Sequence, residues 1–422
     1  MEIRAKIINL LYNIMKTDVK ETKEFGIYVH VPFCAHKCLY CDFYTGGSRI
    51  ADWHLYNKAL LNELKSRQQE IFSIPTSLYF GGGTPSLIPN EEFYNLLDEM
   101  RKLIDLENIK EFTIEVNPED VTDEKIKTWK DSGVNRISMG VQSFIDEELK
   151  VIGRKHDASI AVKAFDNLKQ YFDNISIDIM FGLPGQTITS YKKTLTEAID
   201  LQPTHISSYS LMLENGTSMT HLVNNNKLSL PTEDEWIEMY EITNEFLEEK
   251  GFKRYEISNF SQPGFESLHN MNYWLGIPYI GLGPSAHSYD GVKIRRANPN
   301  DIKGWLKRFS DAQPLKFENQ IPVDNFLIKN SPASNQISSQ FFQEEKLTDK
   351  ELKEEYILTR MRMAKGLNLH DYEKRFGINE KNKFLNKAKK YIDRRLLKQE
   401  EEHISFTTSG FRLSDDVLSS LI

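Results

Sequence analysis

Cysteine is scarce in this chain of 422 residues: three occur, all between positions 34 and 41. An odd count packed so closely cannot build a disulfide framework, and three thiols on one short stretch point to metal chemistry instead. A basic excess is also missing. The formal net charge of −8 argues against a dedicated nucleic-acid binder, which would carry a broad positive face. No uninterrupted apolar run approaches the roughly 18–20 residues that span a bilayer. A glycine run at 81–83 is not followed by Lys-Ser/Thr, so it is not a P-loop. The 40% hydrophobic and 27% charged residues suit a soluble globular protein with a large α/β domain and appendages.

Residues 1–24 form an N-terminal extension. Asn9 and Asn13 interrupt its apolar stretch and no small-residue cleavage site follows, which disfavours a secretory signal. Ile3, Ile7, Leu10 or Leu11, and Ile14 share one helical face, as in a short helix docked on the body. A helix lying on a membrane surface (a peripheral membrane contact) and a true start at Met15 are the other two readings. The expected compartment is cytoplasmic.

What the chain does contain is a strand–helix rhythm. Strand-like segments at 26–32, 77–80, 112–118, 134–144, 176–185 and 204–213 alternate with helical patterns near 51–72, 91–104, 121–131, 157–172 and 188–200. This alternation predicts a parallel sheet of βα units over 25–225. Six units are too few for a closed eightfold barrel, so the expected α/β architecture is a partial (β/α)6 barrel. Gly, Pro, Cys and charged residues gather just after the strands, where parallel barrels place their chemistry. The rhythm breaks beyond about 225, and an α+β extension is expected over 226–310. A Ser/Asn/Gln/Pro-rich linker or insertion follows at 311–347. Helices with a hairpin around HISFTTSGFRL suggest a winged-helix-like domain over 348–422. Its basic run, KNKFLNKAKKYIDRRLLK, reads as a solvated face, and no nucleic-acid partner is expected.

The segment HVPFCAHKCLYCDF spaces its thiols C-x3-C-x2-C. Cys34, Cys38 and Cys41 can cap three corners of a [4Fe–4S] cubane, leaving the fourth iron open to a small molecule. A structural zinc site with His30 or His36 as fourth ligand is the competing reading, although no second cysteine pair exists to complete the usual knuckles. The spacing, with aromatic Tyr40 before the last cysteine, resembles the radical S-adenosylmethionine (SAM) superfamily. The resemblance implies a [4Fe–4S] cluster and SAM as cofactors. It also implies that Gly82, Gly83 and Thr84, one βα unit later, meet the amino end of SAM. Glu115, Gln142, Arg154 and Asp178 lie in order along the strand ends. They resemble the SAM-contacting set of the coproporphyrinogen III oxidase-like branch, with Tyr28 matching its SAM-contacting tyrosine. Arg154 could take the SAM carboxylate with two donors.

Within that branch the chain resembles heme chaperones of the HemW type more than the oxidases. The oxidases carry a further cysteine two positions after the third ligand; here Cys41 is followed by Asp42 and Phe43. The sequence His269-Asn270-Met271-Asn272-Tyr273-Trp274 matches the chaperones' H-N-x-x-Y-W motif. The resemblance therefore implies heme bound near His269, Asn270, Tyr273 and Trp274, with His269 as an iron ligand and His287 as a second candidate. It further implies client hemoproteins as partners and suggests a homodimer. No C-x-x-C-H occurs, so covalent heme attachment by that route is excluded. The alternative function is an oxidase-like radical SAM enzyme of tetrapyrrole metabolism. Radical modification of RNA would ordinarily bring a second cysteine cluster or an RNA-binding domain, and neither is seen.

Overall fold

The computed structural model describes residues 24–47, 52–71, 73–310 and 342–422. The N-terminal helix expected within 1–24 and most of the 311–347 stretch lie outside the described residues.

Six strands follow the predicted rhythm: β1 (Gly26–Val31), β2 (Ser77–Gly82), β3 (Glu111–Val116), β4 (Arg136–Gln142), β5 (Ile175–Phe181) and β6 (His205–Ser210). Between them run helices α1 (Trp53–Ser66), α2 (Asn90–Arg101), α3 (Asp123–Asp131), α4 (Asp146–Ile152), α5 (Ala158–Lys169) and α6 (Ile188–Asp200). Capping fixes where several of these helices begin. Asp52, Thr122, Asp157 and Thr187 each accept a hydrogen bond from a first-turn backbone N–H, satisfying a donor that the helix itself cannot.

Alternation along the strands explains both the core and the interior. Ile27, Val29, Leu78, Phe80, Ile114, Ile137, Met139, Ile177 and Ile179 are buried among the outer helices. The intervening positions point inward and are polar: His30, Glu115, Ser138, Asp178, Ser207. Successive side chains must face opposite sides of a sheet, so one apolar and one polar set per strand yields a packed shell around a polar interior.

The chain then adds α7 (Ser218–Asn224), α8 (Glu233–Glu249), β7 (Asn259–Ser261), α9 (Leu268–Trp274), β8 (Tyr279–Leu282), β9 (His287–Tyr289), β10 (Ile294–Ala297) and α10 (Ile302–Ser310). β8 pairs parallel with β1, making a seventh parallel strand. The 226–310 stretch therefore extends the barrel sheet instead of standing apart from it. β11 (Gln343–Lys346) pairs antiparallel with β10, so the end of the expected linker is sheet. The full order is β11-β10-β9-β8-β1-β2-β3-β4-β5-β6-β7, ending on the two-residue strand Lys253–Arg254. It is an open, partial barrel.

The C-terminal domain contains α11 (Asp349–Met361), α12 (Leu369–Phe376) and α13 (Ile378–Asp393), then the hairpin β12 (Leu397–Glu400) and β13 (His403–Phe406). The hairpin sits earlier than expected. Residues Thr408–Arg412 are helix α14, because Thr407 caps it by accepting from the Gly410 N–H at 3.1 Å. Helix α15 (Ser414–Leu421) closes the domain. No helix among the described residues is long and apolar enough to cross a membrane.

Candidate functional site

The cysteine loop leaves β1 at the C-terminal end of the barrel and is pinned from several sides. Phe33–Cys34 pairs with Gly46–Gly47. The Leu39 N–H donates to Ile152 O at the end of α4 (3.1 Å), while Leu39 O accepts from the Met219 N–H in α7 (2.8 Å). The loop thereby places Cys34, Cys38, Tyr40 and Cys41 on the wall of one cavity of about 430 Å³. Gly82, Gly83, Thr84, Glu115, Gln142, Arg154 and Asp178 line the same cavity. The structure thus brings together every residue named for the cluster and SAM except Tyr28. Tyr28 lies on the inner face of β1, with its hydroxyl 3.1 Å from His30 Nδ1.

Several of these polar groups have an identifiable partner. The Thr84 hydroxyl donates to Cys34 Sγ at 3.4 Å and Arg154 Nη1 donates to Cys38 Sγ at 3.7 Å. Burial pushes the Cys34 and Cys41 thiols up, opposing the thiolate form that metals bind. Burial likewise raises the Tyr40 phenol. Glu115 accepts from the Tyr79 hydroxyl (2.9 Å) and the Gly82 N–H (3.1 Å), yet burial pushes its carboxyl up to about 7. Asp178, also raised by burial, accepts from Ser138 at 2.9 Å and Ser176 at 3.0 Å.

The expectation for Arg154 needs correction, and the glycines carry a constraint that the sequence did not show. The glycines are demanded by the packing of the protein itself. A Cβ on Gly82 (φ +107) would sit 2.5 Å from the His30 ring, and one on Gly83 would sit 2.7 Å from Phe33 O and Val31 O. Arg154 does not offer a free two-pronged fork. Its Nη2 donates to Asn117 Oδ1 (2.8 Å) and Gly140 O (2.5 Å), although its buried Nε has no partner.

Gln142 adopts φ 71 where the β4–β5 register shifts. A left-handed non-glycine residue at a strand irregularity is strain typical of ligand sites. Sequence reasoning missed Tyr79, Arg136, Asn117, Met212 and Phe43, which also line the cavity. Strand alternation could have found Tyr79 and Arg136, since both occupy inward positions.

The H-N-x-x-Y-W motif is α9, seated at the opposite, N-terminal end of the barrel strands. His269 Nδ1 is hydrogen-bonded to Ser77 Oγ (2.8 Å) and Nε2 to the Tyr273 hydroxyl (2.8 Å), and the imidazole stacks on Tyr79. Burial, then the Arg136 charge, pushes its pKa down to about 3. The side chain is 1% exposed. His269 is therefore a neutral, fully bonded floor residue, not an imidazole open to iron. Tyr273 and Trp274 are half-buried and only Asn270 reaches the cavity. His287 is exposed on β9 and does not line it.

A family model of the radical SAM superfamily matches residues 28–198, and one of the HemN C-terminal domain matches residues 347–413. The chain is 34% identical to the heme chaperone HemW of Lactococcus lactis over 401 residues, covering 95% of this chain and 98% of that one. The chain belongs to the HemW family. The HemW of Bacillus subtilis is 37% identical over 314 residues, covering 71% of this chain and 82% of that one. The E. coli coproporphyrinogen III oxidase HemN superposes with a TM-score of 0.76 at 20% identity, covering 96% of this chain and 91% of that one. At that identity the likeness shows the fold.

As a radical SAM protein of the HemW family, the chain has a [4Fe–4S] cluster and SAM as cofactors. The residues present fit them. Three thiols on one loop share a cavity with two half-buried carboxyls, Glu115 and Asp178, and a guanidinium whose Nε is orphaned. Among the described residues no three His, Cys, Asp or Glu groups converge as a single ion would require. Cubane ligands are spread over three irons and need no such convergence. The zinc reading also loses His30, whose ring nitrogens are bonded to Tyr28 and to Tyr44 O.

Proposed function

We propose that this protein is a heme chaperone that binds heme and transfers it to client hemoproteins. The observation that carries the reading is full-length similarity to a heme chaperone, 34% identity over 98% of that relative. Phe43, at the position where the oxidases place a cysteine, supports it. Cys34, Cys38 and Cys41 hold the cluster. Gly82, Gly83, Thr84, Glu115, Gln142, Arg154 and Asp178 surround SAM, and Tyr28 steadies His30 behind them. The cluster would supply an electron and an open iron. The chain's own part is to keep both cofactors in a walled cavity, with Arg154 balancing thiolate charge at Cys38. An oxidase-like enzyme is supported by the fold alone.

Hemin titration of the anaerobically reconstituted protein, with coproporphyrinogen consumption assayed in parallel, tests the reading. Stoichiometric heme uptake without turnover is expected. Steady SAM-dependent decarboxylation would overturn it.

A further inference from the structure

Heme needs an iron ligand and an apolar surface, and the motif helix offers neither in the open. His269 is not alone in this. His156 is bonded to Glu119 and to Val141 O, and His205 to Ser176 and Tyr255. With His30, each of these buried imidazoles has both nitrogens engaged. Iron could reach any of them only by breaking two buried hydrogen bonds.

His36 differs. It is exposed on the cysteine loop, it lines the cavity, and its ring makes no hydrogen bond to the described residues. It is the one histidine among them that does all three.

Exposed apolar surface gathers at the same mouth. Met212 is 66% exposed and Phe43 60%, and both line this cavity. Buried Leu211 and Met180 stand behind them in the cavity wall. A single exposed apolar side chain needs no explanation, but two on the lip of one cavity mark a surface meant to be covered. Lys37, exposed beside them with Nζ 3.5 Å from Phe43 O, adds a cation. An apolar lip, an imidazole and an ammonium group match a flat apolar ring that carries a metal and carboxylates.

We infer that heme lies across the cavity mouth, with one face on Phe43 and Met212, its iron on His36 and a propionate toward Lys37. The inference rests on the heme-chaperone reading and gives the cargo a place over the cofactor cavity, at the far end of the barrel from the H-N-x-x-Y-W helix. Thioether and phenyl groups pack well on a porphyrin face, and a neutral imidazole is an ordinary heme ligand. One mouth then serves both functions, because heme across it covers the route to the cluster.

The test uses the full reconstituted chain, titrated with hemin by absorbance and with metal-free protoporphyrin IX by fluorescence, normalised to cluster iron. The Phe43→Ala/Met212→Ala pair is expected to weaken both ligands at least tenfold. His36→Ala is expected to shift the heme Soret band and weaken hemin, while protoporphyrin binding holds. Met212→Glu alone, which places a carboxylate on the lip, should weaken both ligands and serves if the double variant folds poorly. Unchanged affinity and spectrum in these variants, with loss in His269→Ala instead, would overturn the inference and leave the chaperone reading standing. A wild type that takes up no hemin would overturn that reading, and the heme site with it.

Discussion

Glu115 is the residue at which the barrel interior should feel pH most directly. Its carboxyl rises from an ordinary value near 4.5 to about 7 because burial disfavours the charged form. Between those values the unfolded chain has released the proton and the folded chain keeps it, so the group's contribution to stability falls as pH rises through about 7. The gap corresponds to on the order of 3 kcal/mol. Glu115→Gln cannot titrate, and its amide replaces one acceptor oxygen with a donor, which weakens it at every pH. The expected result is therefore a slope: in denaturant titrations of the cofactor-free protein, the Glu115→Gln variant should gain on the wild type from pH 5 to pH 8. Parallel stability curves would show that Glu115 is ionised throughout. The sequence could place Glu115 on the third strand, near the strand ends. It could not reveal the Tyr79 hydroxyl and Gly82 N–H that hold it, because those contacts require the neighbouring strand's register.

At the scale of elements, α9 is a seven-residue helix whose beginning is fixed by the first residue of β3. Glu111 accepts from the Ser267 hydroxyl (3.2 Å), the Leu268 N–H (2.7 Å) and the His269 N–H (3.0 Å). A carboxylate at a helix N-terminus satisfies otherwise orphaned donors and favours the helix dipole. Glu111→Ala would strand buried donors at a cost of about 2–4 kcal/mol. Faster hydrogen exchange in α9, together with a lower denaturation midpoint, is the expected signature. Protection equal to wild type would show that α9 is held without Glu111. This element also marks how far the sequence could be read. Six strands were legible from alternation and turns, and the cysteine loop from its spacing. β8 was not, because YIGL is four residues long and its partner β1 lies some 250 positions away. The motif's residues were legible as letters, but their burial was not. Only the fold brings Ser77 to His269 Nδ1 and turns an apparent ligand into a floor.

At the scale of the molecule, the C-terminal domain is tied to the barrel through two arginines. Arg360 of α11 donates to Trp274 O and Leu275 O at the end of α9, so the domain caps the helix that Glu111 begins. Arg254 sits over three rings at once, with its guanidinium carbon 5.1 Å from Tyr240, 5.0 Å from Phe260 and 4.8 Å from Phe411. Those rings belong to α8, β7 and α14, so one side chain joins an outer helix, the sheet edge and the C-terminal domain. It also donates to the Tyr240 hydroxyl at 2.5 Å and to Asn244. Cation–π contacts contribute about 0.5–2 kcal/mol each when partly desolvated. Arg254→Met keeps much of the apolar stem but loses the charge and the planar fork, and Arg254→Lys keeps the charge without the fork. The expected order of resistance to limited proteolysis is wild type, then Lys, then Met, with early cleavage freeing a fragment near residues 347–422. Indistinguishable digestion of all three would mean that the domain is held without Arg254, which would then be a surface charge that happens to rest among rings.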